Sequence, residues 1–576
     1  MAAAVAARAH TRPGRIDLSR PVMMALAAVL CVLIVLPVSW LVYFAFTDRA
    51  GLPTLANFVP LVADPAFTEP MFTTLVIAVS VGVACAAVAA PMGWLVARTD
   101  VPFSRTIRAL VMASFVTPPF LGAIAWEILA APNSGMLNQW YRELFGKPAD
   151  EHLFNIYSLG GVIFVIACYT FPYVFVLVAN ALERIPGDLE DASSILGGRA
   201  FHTARRITIP LALPALLAGS LVAFLQAMTL FGSPAILALP AGFHTMTTKI
   251  WSLFQYPPKP GLAAACALPL LILTVILLRA QNAILGRRSF QVIGGKSGAP
   301  RVIRLGAWRW AAFVVCMVVL VNPIFLPYLG LLKAAFTHVF SQPLTLENLT
   351  LEHVNFVFFE FSSTQLALKN TFLLGVLAAT LGSGLALVIA YVTSRRVMAG
   401  HRVLDFLATA PMAIPAIVLG VGLFLAYTRP PFVLYGTLAI LLIAFITIQL
   451  PAAYQQLQSA FRAVNAELEE ASRILGATRL QALRHITAPL LRSGVIATWC
   501  FIFIGTIREL SAAIMLFTAD TKVISVVIFD LNENGHLGPI SVLGLVMLLI
   551  TFAVVAIANR MPGFGGWRAA QGRYTG

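Results

Sequence analysis

A glycine- and lysine-containing stretch at residues 293–298, IGGKSG, is the part of this sequence closest to a nucleotide-binding loop. A Walker-type phosphate loop needs a glycine five residues before the glycine that precedes the lysine. Phe290 occupies that position. The surrounding residues also offer no strand and helix to frame such a loop. The sequence therefore predicts no nucleotide site in this chain, and ATP-driven work would need a separate ATPase.

No other residues are placed at the spacing that catalysis or metal binding requires. The six cysteines all fall in apolar runs without a CxxC pair, which is typical of packing residues. The nine histidines lie at or between the ends of these runs, with no pair at metal-ligand spacing. We therefore expect no catalytic residue, no metal site and no set of Tyr, His and carboxylate ligands for iron.

Few charged or strongly polar residues lie inside the apolar runs. Arg508 and Glu509 are adjacent in one run, Gln226 lies in another, and Glu127 is near the end of a third. Charges at membrane depth are costly, so they usually face a cavity or a partner. Arg508 and Glu509 are therefore candidate substrate-path residues, with Gln226 and Glu127 as weaker candidates. The alternative for Arg508-Glu509 is an ion pair that orients its helix or lies at the outer interface.

The elements that carry these residues are long apolar runs. Of 576 residues, 59% are hydrophobic and 11% charged, too few polar residues for a soluble protein of this length. A membrane-spanning helix needs ~20 apolar residues. We predict an all-α integral membrane protein with about twelve transmembrane helices. Their expected ranges are 22–46, 73–97, 109–130, 160–181, 210–236, 262–282, 309–335, 371–394, 404–427, 433–456, 488–516 and 538–559.

The net charge of +15 is explained by membrane orientation rather than by nucleic-acid binding. If the N-terminus is cytoplasmic and the spans alternate, most of the 39 Lys and Arg fall in cytoplasmic segments. This is the positive-inside distribution, and it predicts that both termini are cytoplasmic. The first run follows several arginines, as in a signal peptide. Its length and the lack of a small-residue cleavage site predict a retained span.

The second half of the sequence repeats the first. DLEDASSILGGRAFHTARRITIP at 188–210 aligns without a gap on ELEEASRILGATRLQALRHITAP at 467–489. Upstream, Arg98 aligns with Arg395 once a longer external loop is allowed in the first half. Six spans in each half make this a parallel repeat, related by a pseudo-two-fold axis along the membrane normal. A pathway between the halves is the natural expectation.

The repeat divides the chain into two transmembrane domains and four connecting parts. The predicted domains are 69–282 and 366–559. The connecting parts are an N-terminal tail with the first span and an external loop (1–68), a basic cytoplasmic linker (283–308), the seventh span with an external loop (309–365), and a cytoplasmic tail (560–576).

Each repeated segment lies in a predicted cytoplasmic loop between the fourth and fifth spans of its half. It is predicted to form two short helices broken at Gly197 or Gly476, with acids in the first turn, where they suit the helix dipole. Pro210 and Pro489 fall in the first turn of the following span, where proline is tolerated. One interpretation is an amphipathic loop lying at lipid headgroups. Two copies in the same register favour the other interpretation, a docking element.

Both copies resemble the cytoplasmic EAA motif of binding-protein-dependent ABC importer permeases of the type I transmembrane fold. That motif runs Glu-Ala-Ala, three residues, Gly, nine residues, Ile-x-Leu-Pro, and both copies keep this spacing. Asp191, Ser193, Ile209, Ser472 and Ala488 depart from it in residue type. The residues that the resemblance assigns to ATPase coupling are Glu190, Asp191, Ala192, Ser193, Gly197, Ile207, Pro210, Glu469, Glu470, Ala471, Ser472, Gly476, Ile486 and Pro489.

In that family the segment is a coupling helix that docks on a cytoplasmic ATPase. The resemblance therefore implies two copies of an ATPase subunit on the cytoplasmic side and a periplasmic or lipid-anchored substrate-binding protein on the other. It also implies a location in the bacterial inner membrane and transport by alternating access. ATP and Mg would be used by the partner subunits, and this chain would bind no cofactor.

The fused layout is similar to the iron(III) permease subgroup, which makes iron(III) the expected cargo. The stretches LFGSPAILALPAGFHTMTTKIW at 230–251 and IRELSAAIMLF at 507–517 carry this likeness, although Leu230 stands where relatives often have an acid. Putrescine or another polyamine, thiamine and phosphonate are alternative cargoes. A secondary transporter driven by an ion gradient is the alternative from another class. It should place several acids or histidines deep in the spans, where this chain has essentially Arg508-Glu509 alone.

Overall fold

A computed structural model describes residues 19–287, 302–396, 400–465 and 467–560. Most of the predicted tails and of the basic linker lies outside these ranges, as does the IGGKSG segment. Within them the chain is helical, and extended pairing is limited to three isolated bridges. The prediction of an all-α membrane protein is confirmed.

Ten unbroken helices are long and apolar enough to cross a membrane, and two bent helix pairs bring the number of spans in the described residues to as many as twelve. Numbered in chain order as spans 1 to 12, they are Met23–Ala45, Pro65–Arg98, Ser104–Val116 with Pro119–Ala130, Leu159–Glu183, Ala204–Thr229, Pro260–Ile284, Trp308–Ala335, Ser362–Ser394, His401–Ala413 with Ala416–Tyr427, Leu438–Ala463, Leu483–Ile507 and Leu537–Ala558.

Shorter helices lie between the spans. They are Val59–Ala63, Met136–Phe145, Gly187–Ile195, Ala200–Thr203, Gly232–Leu237, Met246–Ser252, Glu352–Asn355, Glu467–Ile474, Arg479–Ala482, Ala513–Leu516 and Ile524–Glu533. The end of the bundle that carries Gly187–Ile195 and Glu467–Ile474 is called the near face. The opposite end, where span 3 ends and span 4 begins, is the far face.

Spans 3 and 9 are sharply bent, where the sequence predicts straight helices over 109–130 and 404–427. The two parts meet at 97° in span 3 and at 109° in span 9. The bends fall at Pro118 and Pro415, each preceded by a residue in extended conformation. Proline removes a backbone donor and disfavours helical geometry in the residue before it. Hydropathy does not register this effect, so the apolar run looks continuous.

Spans 5 and 11 are shorter than the predicted ranges 210–236 and 488–516. Their helices end at Thr229 and Ile507, and the short helices Gly232–Leu237 and Ala513–Leu516 follow after a break. Arg508 therefore lies at the end of the span 11 helix rather than inside it.

The first span of each half packs against the other half. The far-face part of span 1 contacts Ala416–Tyr427 of span 9, and the far-face part of span 7 contacts Pro119–Ala130 of span 3. Across the first contact, the Tyr427 hydroxyl donates to the Val32 carbonyl at 2.8 Å. The two halves are thus interlocked and share one core.

Matching polar contacts show that the repeat extends to local structure. The backbone N–H of Met246 donates to Thr74 Oγ1 at 2.7 Å, and in the second half the N–H of Ile524 donates to Thr371 Oγ1 at 2.9 Å. Spans 1 and 7 also share a π-turn, at Cys31–Val35 and Val321–Phe325. The structural repeat therefore includes the first span of each half, which the predicted domains leave out.

Close packing at this interlock gives a direct test. A Cβ added at Gly422 in span 9 would lie 2.8 Å from the Pro37 carbonyl oxygen of span 1. We expect Gly422→Ala to lower the thermal unfolding midpoint of the purified chain, because overpacking costs ~1–3 kcal/mol. Gly384→Ala is the matched control, since a Cβ there meets nothing within 4 Å. Equal stability of the two variants would contradict the interlock.

Candidate functional site

The repeated segments form two matched helical turns on the near face. Gly187–Ile195 and Glu467–Ile474 each end at a glycine with left-handed backbone, Gly197 at φ +82° and Gly476 at φ +96°. The N–H groups of the glycine and the residue after it bond back to the last helical turn, which is the Schellman ending. The glycine thus fixes the direction in which each short helix stops.

In the first segment, a buried ion pair anchors the short helix to the bundle. Glu190 pairs with Arg98 at the end of span 2, and their side chains are only 5% and 0% exposed. The Arg98 guanidinium also donates to the carbonyls of Leu182 and Ile185 at the end of span 4, at 3.3 and 3.1 Å. Thr208, at the start of span 5, donates to Glu190 at 2.8 Å. One carboxylate therefore connects the short helix with spans 2, 4 and 5.

The second segment has the same anchor. Arg395 at the end of span 8 contacts Glu469 at 3.0 Å and donates to the Val464 carbonyl at 3.1 Å. Thr487 donates to Glu469 at 2.8 Å. This pair is more open, with side chains 14% and 12% exposed. The motif in the sequence singles out Glu190 and Glu469 but not their arginine partners, although the repeat aligns Arg98 with Arg395.

Both segments present large aliphatic side chains away from the protein. Ile195, Leu196, Ile474 and Leu475 lie where the short helices end, and each is 84–89% exposed. Such exposure is unusual for four large apolar residues at two equivalent places. Exposed apolar patches mark interaction sites.

The remaining predicted coupling residues divide by position. Ser193 faces inward, with its hydroxyl 2.8 Å from that of Thr203 on the second short helix, and Ser472, Ile207 and Ile486 are partly buried. Exposed positions are Asp191, Ala192, Pro210, Glu470, Ala471 and Pro489. The two prolines lie in the first turns of the α-helices Ile209–Thr229 and Ala488–Ile507, which continue spans 5 and 11.

Two predicted path residues, Gln226 and Arg508, lie on one chain of contacts between the halves. Gln226 of span 5 donates to the Tyr173 hydroxyl of span 4 at 2.6 Å. The Tyr173 ring meets Phe115 of span 3 edge-on at 5.0 Å. Arg508 of span 11 donates to the Phe115 carbonyl at 2.8 Å and lies over its ring at 5.5 Å. The sequence gives no sign of Phe115 and Tyr173 as the connecting residues.

Glu509 and Glu127 have local structural contacts. The Glu509 carboxylate accepts the N–H of Ala512 at 3.1 Å, at the start of the short helix that follows span 11. The backbone carbonyl of Glu509 accepts a hydrogen bond from the Ser525 hydroxyl. In the first half, the backbone carbonyl of Leu230 accepts one from the Thr247 hydroxyl. Arg508 and Glu509 thus contact different partners. Glu127 is partly buried and accepts from the Tyr157 hydroxyl at 2.7 Å, which ties span 3 to the loop before span 4.

In the described ranges no group of three or more His, Cys, Asp and Glu residues is arranged to hold a metal ion. All six cysteines have free thiols. The polar groups of the contact chain are the Gln226 amide, the Tyr173 hydroxyl and the Arg508 guanidinium.

The two anchors differ in burial, which predicts different sensitivities. We expect Glu190→Gln to lower the unfolding midpoint more than Glu469→Gln. Breaking a buried pair costs ~3–5 kcal/mol because the remaining charge is stranded, whereas solvent screens a more exposed pair. Asp188→Asn removes an exposed acid from the same short helix and serves as the control. Equal losses at Glu190 and Glu469 would show that burial does not set the strength of the anchor.

The sequence also matches known proteins. Residues 89–289 and 382–561 match the family described as binding-protein-dependent transport system inner membrane component. A ferric transport system permease protein of Actinobacillus pleuropneumoniae is 26% identical over 455 residues, covering 78% of this chain and 64% of the relative. A putative ferric transport system permease protein of Haemophilus influenzae is 27% identical over 417 residues, covering 71% and 64%.

A more distant relative carries a different name. A putative 2-aminoethylphosphonate transport system permease protein of Salmonella typhimurium is 26% identical over 151 residues, 26% of this chain and 57% of the relative. The matches with the two ferric permeases span less than two thirds of those relatives' lengths. The family match appears twice and covers more than half of the chain. The chain belongs to the family of binding-protein-dependent transport system inner membrane components, as a fused permease with two homologous halves.

Proposed function

We propose that this chain is the membrane-spanning permease subunit of an ATP-driven importer that receives its cargo from a separate binding protein. The observation that carries the proposal is the pair of repeated segments, each presenting exposed apolar side chains from a buried anchor on the same face. Family membership supports it. In this proposal the near face and both termini are cytoplasmic, and the membrane is the bacterial inner membrane.

The partners follow from the repeat. Two equivalent apolar ends, at Leu196 and Leu475, would dock into two copies of a cytoplasmic ATPase subunit. ATP and Mg would be bound and used there, and the chain itself would be neither an enzyme nor a cofactor-binding protein. The binding protein would dock on the far face.

The anchors supply a mechanical route from the ATPases to the spans. When two ATPase subunits close, the docked short helices move together. Glu190 cannot move without Arg98, and Arg98 holds the end of span 4 through its carbonyls. Thr208 carries the same displacement to span 5. Each short helix thus acts on three spans at once, which suits a rigid-body swing of each half.

The contact chain from Gln226 to Arg508 lies where a path between the halves would close. Its polar ends belong to different halves, and its aromatic middle would block passage while Arg508 remains bonded to Phe115. We assign Gln226 and Arg508 to the substrate path, whereas Glu509 shapes the chain after span 11.

Iron(III) is the cargo we propose, because two relatives that match 78% and 71% of this chain are named as ferric permeases. The phosphonate permease relative keeps that cargo as an alternative, and putrescine or thiamine would use the same architecture. Since the described residues contain no metal-binding group, cargo selection would lie in the binding protein.

Reconstituted transport tests both coupling and cargo. With its ATPase and an iron-loaded binding protein in liposomes, the chain should take up iron only when ATP is supplied. Gly197→Val with Gly476→Val should abolish uptake and ATPase co-purification while the chain still inserts in the membrane. A side chain in left-handed backbone costs ~1–2 kcal/mol at each site, and the strain redirects the docking ends.

The control for this experiment is Gly146→Val on the far face. Gly146 also has left-handed backbone, and a Cβ meets nothing within 4 Å at any of the three glycines. Uptake by the double variant at the control's level would refute ATPase coupling through these segments. Uptake driven by a proton gradient without any ATPase would identify a secondary transporter. ATP-dependent uptake of phosphonate but not of iron would correct the cargo alone.

The contact between Arg508 and Phe115 gives a second functional test. We expect Arg508→Gln to raise the ATPase activity of the complex without binding protein by about tenfold. A hydrogen bond to a charged group contributes ~1.5–3 kcal/mol, and ~1.4 kcal/mol shifts an equilibrium tenfold. Arg429→Gln is the control, because Arg429 lies over the Phe44 ring at 4.8 Å between the halves but away from the contact chain. Unchanged basal ATPase activity in Arg508→Gln would show that Arg508 does not help to close the path between the halves.

A further inference from the structure

The helix Met136–Phe145, called the far-face helix, belongs to the first half alone. It lies in the connection between spans 3 and 4. The corresponding connection of the second half, residues 428–437, is shorter and contains no helix. The far-face helix is therefore an addition to the repeat, and the shared architecture does not explain it.

Two polar residues of this helix face the protein. Asn138 is fully buried, and its amide donates to the carbonyls of Ala131 and Phe154 at 2.9 and 2.8 Å while accepting two backbone N–H groups. Arg142, one turn later, donates to the carbonyl of Asn133 at 2.7 Å. Both residues satisfy carbonyl groups of the helix's own connecting loops.

The later part of the apolar side points away from the protein. Trp140 and Leu144 are one turn apart on one face and Phe145 borders them, and all three are exposed, Leu144 to 78%. In a water-soluble protein an amphipathic helix buries its apolar stripe and exposes its polar side. In the far-face helix only the first turn, with Met136 and Leu137, packs on the core, so the exposed remainder of the stripe needs apolar surroundings of another kind.

The helix is held at the depth where two spans leave the membrane. The N–H of Ile156, just before span 4, donates to the carbonyl of Ala130, the last residue of span 3, at 3.1 Å. The start of span 4 and the end of span 3 are therefore level, and Asn138 ties the first turn of the helix to the next residue, Ala131. Tryptophan is enriched at this depth, where membrane meets water.

The part of the connection that follows the far-face helix carries charged groups, which suit the boundary between membrane and water. Lys147 contacts Glu151 at 2.9 Å, and the Tyr141 hydroxyl donates to the same carboxylate at 3.0 Å. These hydrogen bonds, the one from Lys147 first, lower the pKa of Glu151 below its usual value. The apolar side chains are thus bordered by a carboxylate and an ammonium group that remain charged in contact with water.

We propose that the far-face helix lies in the membrane interface and anchors the first half to lipid through Trp140, Leu144 and Phe145. A binding protein docks and leaves, which would return the apolar side to water in every cycle. At the start of span 4, Leu159 and Phe164 are 39% and 38% exposed, so lipid has access to this end of the span. The proposal needs neither the ATPase nor the cargo of the proposed importer. In the orientation proposed above, this surface belongs to the outer leaflet.

Fluorescence quenching by brominated lipids tests this placement. The full chain is reconstituted with phospholipids brominated near the headgroup or near the chain terminus. Subtracting the Trp140→Phe variant from the native chain isolates Trp140 among nine tryptophans. We expect headgroup-side bromine to quench this signal about twofold or more and terminal bromine to quench it less, because interfacial helices lie ~5–10 Å deep. The buried Trp126, isolated in the same way, should remain unquenched.

A second variant distinguishes contact of the far-face helix with lipid from the folding of that helix. Leu144→Glu should reduce the quenching of Trp140, because a charge enters the apolar stripe while the bonds of Asn138 and Arg142 are untouched. Glu143→Gln is the matched control and should leave the quenching unchanged. Absence of quenching in the native chain would overturn the proposal. Quenching that disappears when binding protein is added would assign the surface to that protein instead.

Discussion

A carboxylate buried against an arginine at the near face is the interaction on which the proposed coupling depends. Removing two charges from water is expensive, and their attraction compensates only when every remaining polar group is also satisfied. At Glu190 the second partner is Thr208, and at Arg98 it is the carbonyls at the end of span 4. Helix ends leave such carbonyls without a partner. The anchor thus uses groups that would otherwise be unsatisfied.

The two anchors are equivalent in chemistry but not in surroundings. In the first half, the segment before span 7 pairs with the chain beside Arg98, with the N–H of Ile303 donating to the Arg98 carbonyl at 2.8 Å. Asp100 accepts the N–H of Leu305 at 2.8 Å. The start of the second half is therefore bonded to the anchor of the first. The segment before span 7 therefore packs beside the first anchor, whose ion pair is the more deeply buried of the two.

The repeat and the membrane class could be predicted because both depend on features that recur along the chain. Apolar length marks each span, and the spacing of acids, glycine and proline marks each repeated segment. The arginines of the anchors could not be assigned, since Arg98 and Glu190 are distant in sequence and neither is unusual alone. The ion pairs could have been predicted from the repeat, because it aligns Arg98 with Arg395 and Glu190 with Glu469. An arginine and a glutamate that recur together in both copies indicate a contact.

Further features were missed for a different physical reason. The bends at Pro118 and Pro415 follow from backbone donors and sterics, which hydropathy ignores. The interlock of spans 1 and 9 depends on close approach at Gly422. Glycine is frequent throughout transmembrane helices, so its presence in an apolar run does not mark a contact. The far-face helix has a clear apolar stripe, but the sequence cannot show that only the first turn of that stripe meets the protein.

The halves also differ at the contact between them, and the difference follows from one position. Arg508 reaches across to Phe115, whereas Thr229, its counterpart in the repeat, bonds to the carbonyl of Leu225 in its own helix at 2.9 Å. The contact chain is therefore closed by a single guanidinium from one half. In the proposed importer, coupling would need equal force on both halves, which fits the presence of an anchor in each. The proposed path would need only one closing contact, and a second arginine facing the first would add repulsion between like charges.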